Sequence, residues 1–391
     1  MNFILSDGSS RNALLPFTYT RPVADIRIGI LTIKEKWDKF LDTDCSYGTA
    51  GYLAKKFPIK IESENIVINA SFLPSKDLVA RIKDLKIGEA ITFNNETVAY
   101  ATTSPAEEFI ATAYDLKTFK GELLTVKNTW DIFSKNGEAI ASDFQLLTKG
   151  RKSQSIPESN TVINPEHIFL EEGAKVSCSI LNAATGPIYI GKNAEIMEGS
   201  IVRGALALCD NAVLKMGAKI YGASTFGPYC KVGGEVSNAV LFAYSNKGHE
   251  GFLGNSVLGE WCNLGADTNT SNLKNNYAPV RLWSYETEGF AKTGLQFCGL
   301  MMGDHSKCGI NTMFNTGTVI GVSANIFGSG FPRNFIPSFS WGGAAGFTEY
   351  KTNKAFETAT AMMGRRKVEF DATEQAILEQ VYEKTAKWRN Y

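Results

Sequence analysis

Large apolar residues recur every six positions through most of the second half of the chain. Four positions after each of them the side chain is small in fifteen of sixteen cases, with Leu206 as the exception. Two registers that repeat together are typical of hexapeptide repeats, which fold as a parallel β-helix. The large residue is predicted to fill the coil interior, and the small one to lie where the chain turns. The sixteen apolar positions are Ile190, Ile196, Val202, Leu208, Leu214, Ile220, Phe226, Val232, Phe252, Leu258, Leu264, Met302, Cys308, Phe314, Ile320 and Ile326.

The phase of this repeat breaks twice, at Asn238–Gly251 and at Asn269–Met301. Because a coil interior has no room for extra residues, the breaks predict loops on the outside of the solenoid. Such loops commonly hold binding and catalytic residues, although an insertion without a function is the alternative. The first contains His249, one of only three histidines, and histidine is well suited to accept a proton near neutral pH. The second is rich in asparagine, lysine and arginine, which bind sugar hydroxyls and phosphate.

Residues 1–150 lack the six-residue spacing and alternate strand-like runs, such as NIVINASFL, with the helix-like run SKDLVARIKDL. This alternation favours an α/β domain. The first strand is followed by a polar turn with Asp7, Gly8 and Arg11, where an α/β fold could hold a nucleotide phosphate. Residues 351–391 are polar with helical spacing, which predicts helices that pack on the end of the solenoid and cover its open strands.

Composition narrows the classes of function. The chain has 391 residues with 40 basic and 40 acidic side chains, so it lacks the cationic excess of nucleic-acid-binding proteins. No apolar run approaches 18 residues and the N-terminus lacks the pattern of a signal peptide, so no membrane segment is expected. Seven cysteines form no CxxC pair, which favours a reduced, cytoplasmic protein over a disulfide scaffold.

The run NKGHEGFLGNSVLGEWCNLGADTNTSNLK resembles the acetyltransferase half of the bifunctional enzymes that make UDP-N-acetylglucosamine, over about residues 185–330. The resemblance implies a left-handed β-helix, acetyl-CoA as co-substrate, and a homotrimer with sites between neighbouring subunits. It implies that His249 is the general base that deprotonates the amine of glucosamine-1-phosphate. The other implied contacts are Asn272 to the amino sugar, Asn263 in the same pocket, Lys247, Lys274 and Arg281 to the phosphate, and Ala266 to the acetyl-CoA.

The first 22 residues resemble the opening of sugar-1-phosphate nucleotidyltransferases: a strand, a Gly-containing loop with an arginine, then L-x-P-x-T-x-x-R-P. The resemblance implies nucleotide binding by Asp7, Gly8, Arg11 and Arg21, with UTP or dTTP and a sugar-1-phosphate as substrates, and Mg²⁺ if this site is active. Together, the two halves resemble the Bacteroidetes-type variant of the uridylyltransferase/acetyltransferase family. Arg365 and Arg366 are predicted to lie at a solvent-exposed helix end. The alternative is that they contact the 3′-phosphate of CoA.

The chain departs from both patterns. Phe252 replaces a tyrosine and Asp267 replaces a glycine in the acetyltransferase motif. In the first half Val23 replaces a lysine, and Asn69-Ala70 replaces a Gly-Asp pair that holds Mg²⁺, so no metal ligand is assigned.

The combined prediction has three parts: a nucleotidyltransferase-like α/β domain at 1–150, a left-handed β-helix at 155–345, and a helical cap at 346–391. The predicted function is nucleotide-sugar biosynthesis by acetyl transfer, with nucleotidyl transfer in the first domain. Two alternatives stay open: a sugar-1-phosphate nucleotidyltransferase whose β-helix is purely structural, and a non-catalytic assembly or regulatory protein.

Overall fold

The computed structural model describes residues 1–105 and 110–391. It confirms the predicted α/β domain, the parallel β-helix and the C-terminal helices. The first domain contains one six-stranded sheet in the order β2-β1-β3-β5-β4-β6. Its strands are β1 (Asn2–Ser6), β2 (Ser46–Gly48), β3 (Asn65–Asn69), β4 (Glu89–Phe93), β5 (Glu96–Thr102) and β6 (Asp115–Thr118), and its helices are α1 (Ile33–Leu41), α2 (Lys76–Lys83), α3 (Asp131–Ser134) and α4 (Asn136–Thr148).

The pairing of the central strands places their ends at one edge of this sheet. β1 is parallel to both β2 and β3, whereas β5 runs antiparallel to β3. The carboxyl ends of β1, β2 and β3 therefore lie side by side, which is where open α/β sheets bind ligands. Helix α1 begins with a capping box, in which Thr32 accepts from the Glu35 amide and Glu35 accepts from the Thr32 amide.

The solenoid coils around three faces, and every strand pairs in parallel with its counterpart on the neighbouring coil. The first face contains β7 (Thr161–Ile163), β10 (Ile180–Asn182), β13 (Ile201–Arg203), β16 (Lys219–Tyr221), β23 (Asn269–Thr270) and β28 (Met313–Phe314). The second contains β8 (Ile168–Leu170), β11 (Ile188–Ile190), β14 (Leu206–Leu208), β17 (Ser224–Phe226), β26 (Met301–Met302), β29 (Val319–Ile320) and β31 (Phe335–Ile336). β19 (Glu235–Leu241) and β21 (Phe252–Leu258) run across the corner from the first face to the second.

The third face is the most regular. Its strands are β9 (Lys175–Val176), β12 (Glu195–Ile196), β15 (Val213–Leu214), β18 (Lys231–Val232), β20 (Asn246–Lys247), β22 (Asn263–Leu264), β27 (Lys307–Cys308), β30 (Asn325–Ile326) and β32 (Ser340–Gly343). A final strand, β33 (Gly346–Glu349), pairs antiparallel with β32, so the sheet continues past residue 345 and the helical segment begins later than predicted.

The six-residue register locates the interior of the coils. Fifteen of the sixteen predicted apolar positions are buried. The exception is Phe252, which is partly exposed, while its neighbour Leu253 is fully buried. Successive residues of a strand point to opposite sides, so the register at this coil is shifted by one position from the prediction.

The first phase break is not an outward loop, and that prediction is wrong. Residues 238–251 include the end of β19 and all of β20, both within the solenoid wall. Third-face strands begin eighteen residues apart at Val213 and Lys231, but only fifteen apart at Lys231 and Asn246. The coil is shortened at its corners, which shifts the phase just as an insertion would. The second break is a true insertion and contains the hairpin β24 (Arg281–Ser284) and β25 (Gly289–Lys292).

The C-terminal helices pack along the solenoid and against the first domain, and the second of them also contacts the final coils, where the prediction placed it. Helix α5 (Thr352–Gly364) is followed by Arg366, whose guanidinium lies 3.4 Å from the side-chain oxygen of Asn246 on the third face. Helix α6 (Ala372–Lys384) buries Ile377 against Leu53 and Phe57 of the first domain. These apolar side chains supply the partners that the helix needs, so α6 docks there. Helix α6 also reaches the final coils, where the Tyr382 ring packs on Phe339 with centroids 5.2 Å apart. The last residue follows, with the Tyr391 hydroxyl 2.7 Å from Ser340 Oγ.

The first domain rests on the second face of the solenoid, and the two share one apolar core. Phe17 packs on Phe242 with ring centroids 5.2 Å apart, and Thr20 donates a 2.7 Å hydrogen bond to Asp304.

All seven cysteines are free. Within the described ranges, no helix has the length and apolar character that crossing a membrane requires.

Candidate functional site

A cleft of about 1050 Å³ lies between the third face of the solenoid and helix α5, and we call it the third-face cleft. Strands β18, β20, β22 and β27 with their flanking turns form one wall, and α5 forms the other. Its lining residues are Lys215, Lys231, Asn246, Gly248, His249, Asn263, Leu264, Gly265, Ala266, Lys307, Ile310, Glu357, Thr358, Ala361, Met362, Arg365 and Arg366.

His249 lies at the corner that follows β20, where its side chain is exposed to the cleft. The corner reads Gly248-His249-Glu250-Gly251. A backbone hydrogen bond, donated by the Asp267 amide of the next coil to the Glu250 carbonyl, holds this corner in place. An exposed imidazole at the edge of a large cleft is available to a ligand as a proton acceptor.

Cations dominate the lining of the third-face cleft. Partial burial lowers the pKa of Lys231, and the nearby charges of Arg366 and Lys215 lower it further. Burial also lowers the pKa of Lys307 to about 8. The carboxylate of Glu357 is held 2.9 Å from the Lys354 ammonium. A group of mutually repelling cations favours an anionic ligand, because such a ligand would relieve the repulsion.

Three of the predicted acetyltransferase residues meet in this cleft: His249, Asn263 and Ala266. The first two lie near consecutive coils of the third face, because Asn246 of β20 pairs with Asn263 of β22. Ala266 follows at the next turn.

Lys247 does not face the third-face cleft. Its side chain occupies the coil interior, is 1% exposed, and donates a 2.6 Å hydrogen bond to the backbone carbonyl of His249. A side chain so enclosed cannot reach a phosphate in the cleft, so the predicted phosphate contact is wrong for Lys247. The physical reason is the shortened coil, which places residue 247 at an inward-facing position.

Three further predicted residues lie in or beside the second insertion, away from this cleft within one chain. The Asn272 amide donates a 2.8 Å hydrogen bond to the Asn255 side chain, beside the corner crossed by β21. Lys274 contacts the carbonyl of Pro279, and Arg281 is exposed at the start of β24. The structure therefore separates these residues from His249 in a single chain.

In the first domain, Asp7 and Arg11 are held by internal partners. One Asp7 oxygen accepts from the Val23 amide, and the other lies 2.6 Å from both Arg11 and the Thr49 hydroxyl. Arg11 also donates to the carbonyl of Thr18 and the hydroxyl of Tyr52. These contacts occupy the carboxylate of Asp7 and the guanidinium of Arg11, which were predicted to bind a nucleotide.

Gly8 does line a cavity, of about 480 Å³, on the open side of the sheet near the carboxyl ends of β1 to β3. Gly8 has φ +57°, and an added Cβ would lie 2.8 Å from the Asn69 side chain, so the turn requires glycine here. Asn69 is itself engaged, because its side-chain oxygen accepts from the amide and hydroxyl of Ser71.

The residues at this edge of the sheet do not fit a magnesium ion. Both oxygens of Asp7 have partners, and Ala70 stands where the related pattern has its acidic ligand. Within residues 1–105 and 110–391, no group of three or more His, Cys, Asp or Glu side chains is arranged to hold a metal.

Arg21 binds the solenoid instead of a nucleotide, which corrects its predicted role. It is 3% exposed, and its guanidinium lies 2.5 Å from Asp304 and 3.1 Å from Glu260. These strong ionic contacts raise the pKa of Arg21 despite the opposing effect of its burial, which is the largest influence. The Arg-Pro segment therefore serves as a contact between the domains.

His305 belongs to a stack of rings at the corner between the second and third faces. Tyr229, Tyr244 and Trp261 stack with centroids 5.0 Å and 4.1 Å apart, and His305 follows at 6.4 Å. Burial is the main reason that the pKa of His305 lies well below its ordinary range, so the ring is neutral.

Sequence reasoning missed most of the cations in the cleft. Lys231 and Lys307 each precede an inward residue on a third-face strand, as Asn246 and Asn263 also do. Following that outward register along the repeat would have placed them on one surface. No comparable signal in the repeat places Arg366 beside that surface, because α5 and the residues that follow it lie outside the repeat.

Comparisons with known proteins agree with this two-part architecture. Residues 3–152 match the family model described as sugar nucleotidyl transferase. The bifunctional protein GlmU of Synechococcus elongatus is 23% identical over 208 residues, which cover 48% of this chain and 42% of that protein. GlmU of Methanocaldococcus jannaschii is 33% identical over 89 residues, covering 22% of this chain and 21% of that protein.

Two acetyltransferases are also similar in part. A putative uncharacterized acetyltransferase, YaiX of Escherichia coli, is 27% identical over 143 residues, covering 36% of this chain and 61% of that protein. The crystal structure of the polySia specific acetyltransferase NeuO aligns with 54% of this chain and 99% of its own, at 12% identity and a TM-score of 0.27. The chain spans less than half the length of the GlmU proteins that it matches.

Proposed function

We propose that this chain belongs to the transferase family that joins a sugar nucleotidyl transferase domain to an acetyltransferase β-helix, as in the bifunctional proteins named GlmU. The chain transfers the acetyl group of acetyl-CoA to the amine of an amino-sugar-1-phosphate, of which glucosamine-1-phosphate is the first choice. The reaction takes place in the third-face cleft and contributes to the synthesis of a nucleotide sugar.

The observation that carries this proposal is the combination of one exposed histidine with a cationic wall in a single large cleft. Both substrates are anionic, because CoA carries three phosphate groups and the sugar carries one. Lys215, Lys231, Lys307, Arg365 and Arg366 supply the opposite charge. At about 1050 Å³ the cleft has the size of a site for an extended ligand such as CoA.

The chemistry assigned to His249 is general base catalysis. The amine of the sugar attacks the thioester carbonyl, and the imidazole takes the proton that the new N–C bond displaces from nitrogen. The tetrahedral oxyanion is stabilised by N–H donors of the coil, and Ala266 lies against the acyl-CoA. The C–S bond then breaks, and the departing thiolate recovers a proton to give free CoA.

Release of CoA thiol from acetyl-CoA in the presence of glucosamine-1-phosphate tests the proposal. His249→Ala is expected to reduce kcat by about a hundredfold or more, the usual range for the loss of a general base. His167→Ala is the matched control, because His167 is exposed in the first coil and lies outside the cleft. Unchanged turnover in His249→Ala would exclude it as the base, and no thiol release from the wild type would favour the two non-acetylating alternatives.

We propose nucleotide binding in the 480 Å³ cavity as the second function, supported by the match of residues 3–152 to sugar nucleotidyl transferases. Gly8 lines this cavity, whereas Asp7, Arg11 and Arg21 are held elsewhere by their own partners. The test supplies UTP or dTTP with sugar-1-phosphates and Mg²⁺ and follows release of pyrophosphate. Pyrophosphate release without thiol release would leave nucleotidyl transfer as the activity of the chain.

A homotrimer remains part of the proposal. Asn272, Lys274 and Arg281 lie apart from His249 in one chain, and a neighbouring subunit could bring a second copy of these residues to the cleft. Sedimentation equilibrium tests this arrangement: a monomer that retains full acetyltransferase activity would exclude it.

A further inference from the structure

Lys247 is an anomaly in the solenoid interior. It pairs with Val232 on the preceding coil, so it takes a position at which the neighbouring coils carry Val232 and Leu264. A lysine placed there replaces an apolar side chain and must bring its ammonium out of water, which destabilises the fold unless a partner compensates. Desolvation accordingly lowers the pKa of Lys247 to about 8.

Within the described parts of the chain, the Lys247 side chain donates one hydrogen bond, and this bond explains why a lysine is placed there. Its Nζ lies 2.6 Å from the carbonyl oxygen of His249, which it reaches from inside the coil. The neighbouring coil leaves room for this contact through Gly234, where an added Cβ would lie 2.7 Å from the same carbonyl and 2.8 Å from Lys247 Nζ. Lys247, Gly234 and the His249 carbonyl thus form a clamp inside the corner.

The corner needs such a clamp because its sequence is permissive. His249 and Glu250 are exposed, and glycines flank them on both sides, so local packing does little to fix the backbone. Two nearby carbonyls bond to other coils: Lys247 O, two residues before His249, accepts from the Gly233 amide, and Glu250 O, directly after it, accepts from the Asp267 amide. The His249 carbonyl accepts from Lys247 instead.

We propose that Lys247 is a positioning residue for His249: from inside the coil it fixes the backbone of the corner that carries the catalytic imidazole. This inference rests on the proposed function, because it assumes that His249 is the base. A displacement of about 1 Å at a reacting group can reduce turnover by a hundredfold, so fixing this backbone has a direct effect on kcat. Both the ammonium and the neutral amine donate a hydrogen, so the clamp persists as Lys247 titrates.

Lys247→Met tests the clamp, since methionine keeps the length and apolar stem but cannot donate a hydrogen bond. The expected result is a fall in kcat of about tenfold, with the KM for acetyl-CoA within about twofold of the wild type. Leu241→Met is the matched control, because Leu241 is a fully buried residue of the same coil outside the cleft, and its kcat should match the wild type. A kcat for Lys247→Met equal to that of Leu241→Met would overturn the proposal.

A double-mutant cycle separates positioning from a merely structural role. Once His249 is replaced by alanine, Lys247→Met should cause no further loss of turnover, because its effect passes through the imidazole. An equal further loss in the His249→Ala background would overturn positioning. Unchanged activity in His249→Ala alone would instead contradict the proposed function, so the two failures are distinguishable.

Gly234→Ala disturbs the clamp from the neighbouring coil. It provides the test if the Lys247→Met protein does not fold. The new methyl group would press on the His249 carbonyl and on Lys247 Nζ. The same pattern is expected: reduced kcat, a KM for acetyl-CoA close to wild type, and no additional loss in the His249→Ala background. A Gly234→Ala protein with wild-type kcat would argue against the clamp.

Discussion

At the scale of single residues, the cleft is distinguished by cations that have no carboxylate partner among the residues that the structure describes. Lys231 and Arg366 come from distant parts of the sequence. Burial lowers the pKa of Lys231, and the charge of Arg366 lowers it further. Repulsion of this kind destabilises the fold. A cluster of unpaired cations is therefore typical of a site at which a ligand supplies the negative charge. The nearby Asn246 fixes the Arg366 guanidinium at 3.4 Å.

The first prediction concerns the part of the acetyl donor that these cations bind. Acetyl-dephospho-CoA lacks the 3′-phosphate of CoA, so its KM should exceed that of acetyl-CoA by about tenfold, as expected for one charged hydrogen bond. Arg366→Ala or Lys231→Ala should raise the KM for acetyl-CoA and leave that for acetyl-dephospho-CoA within about twofold. Lys175→Ala, at the same outward register but on an earlier coil, is the control. Equal effects on both donors would place the 3′-phosphate elsewhere.

The second prediction follows from the buried ammonium of Lys247. Its pKa is about 8 in the folded chain against 10.5 when unfolded, so between these values the unfolded state binds more protons. Stability from this group therefore rises with pH through that window. Relative to the wild type, Lys247→Met should be more stable below pH 8, by on the order of 2 kcal/mol, and this advantage should shrink towards pH 10.5. Urea unfolding of both proteins across this range measures it, and a constant difference would contradict it.

At the scale of elements, the segment from Leu15 to Pro22 shows how a motif changes its use. Its sequence resembles a nucleotide-binding opening, yet Thr20 and Arg21 both bind Asp304 of the solenoid. The ring of Phe242 lies 5.2 Å from the Arg21 guanidinium and covers it. The segment therefore joins two parts of the fold that are 283 residues apart in sequence.

The third prediction is that Arg21→Met destabilises the protein without weakening nucleotide binding. Removing one partner of a buried ion pair leaves Asp304 charged and unpaired, which costs about 3–5 kcal/mol. Combining it with Asp304→Asn should recover part of that loss. Denaturant unfolding measures the stability, and calorimetric titration with UTP measures the affinity. A loss of UTP affinity in Arg21→Met while the protein stays folded would restore Arg21 to the nucleotide site.

Elements also show which predictions a sequence supports. The inward register of the coils is local and periodic, so all but Phe252 of the predicted interior positions are buried. A phase slip is ambiguous, because a shortened coil and an inserted loop both displace the repeat, and at 238–251 the structure has the shortened coil instead of the predicted loop. The shortened coil also turns Lys247 into the interior, which an outward loop would not do. Placement of α5 on the third face depends on contacts such as Arg366 with Asn246, 120 residues apart, which no local pattern encodes.

At the scale of the whole molecule, the two halves are coupled by burial. One continuous core contains Phe17, Ile26 and Trp37 of the first domain together with Val240 and Phe242 of the solenoid. Helix α6 adds a second connection, where Lys56 lies 2.6 Å from Glu374. The predicted ranges 1–150 and 155–345 thus describe two architectures that share an apolar interface. A shared interface of this kind favours cooperative unfolding.

The last prediction is that the chain unfolds in one calorimetric transition. Phe242→Ala should lower the midpoint of that transition for both halves together, since truncating a buried phenylalanine costs about 3–5 kcal/mol and the side chain touches both. Ile196→Ala is the comparison, because Ile196 lies in an early coil and its side chain belongs to the separate solenoid core. Scanning calorimetry combined with tryptophan fluorescence reports on both halves, because Trp37 lies in the first domain and Trp261 in the solenoid. Two resolved transitions in the wild type would show that the shared core does not couple the halves, and cleavage near residue 150 would then release a folded first domain.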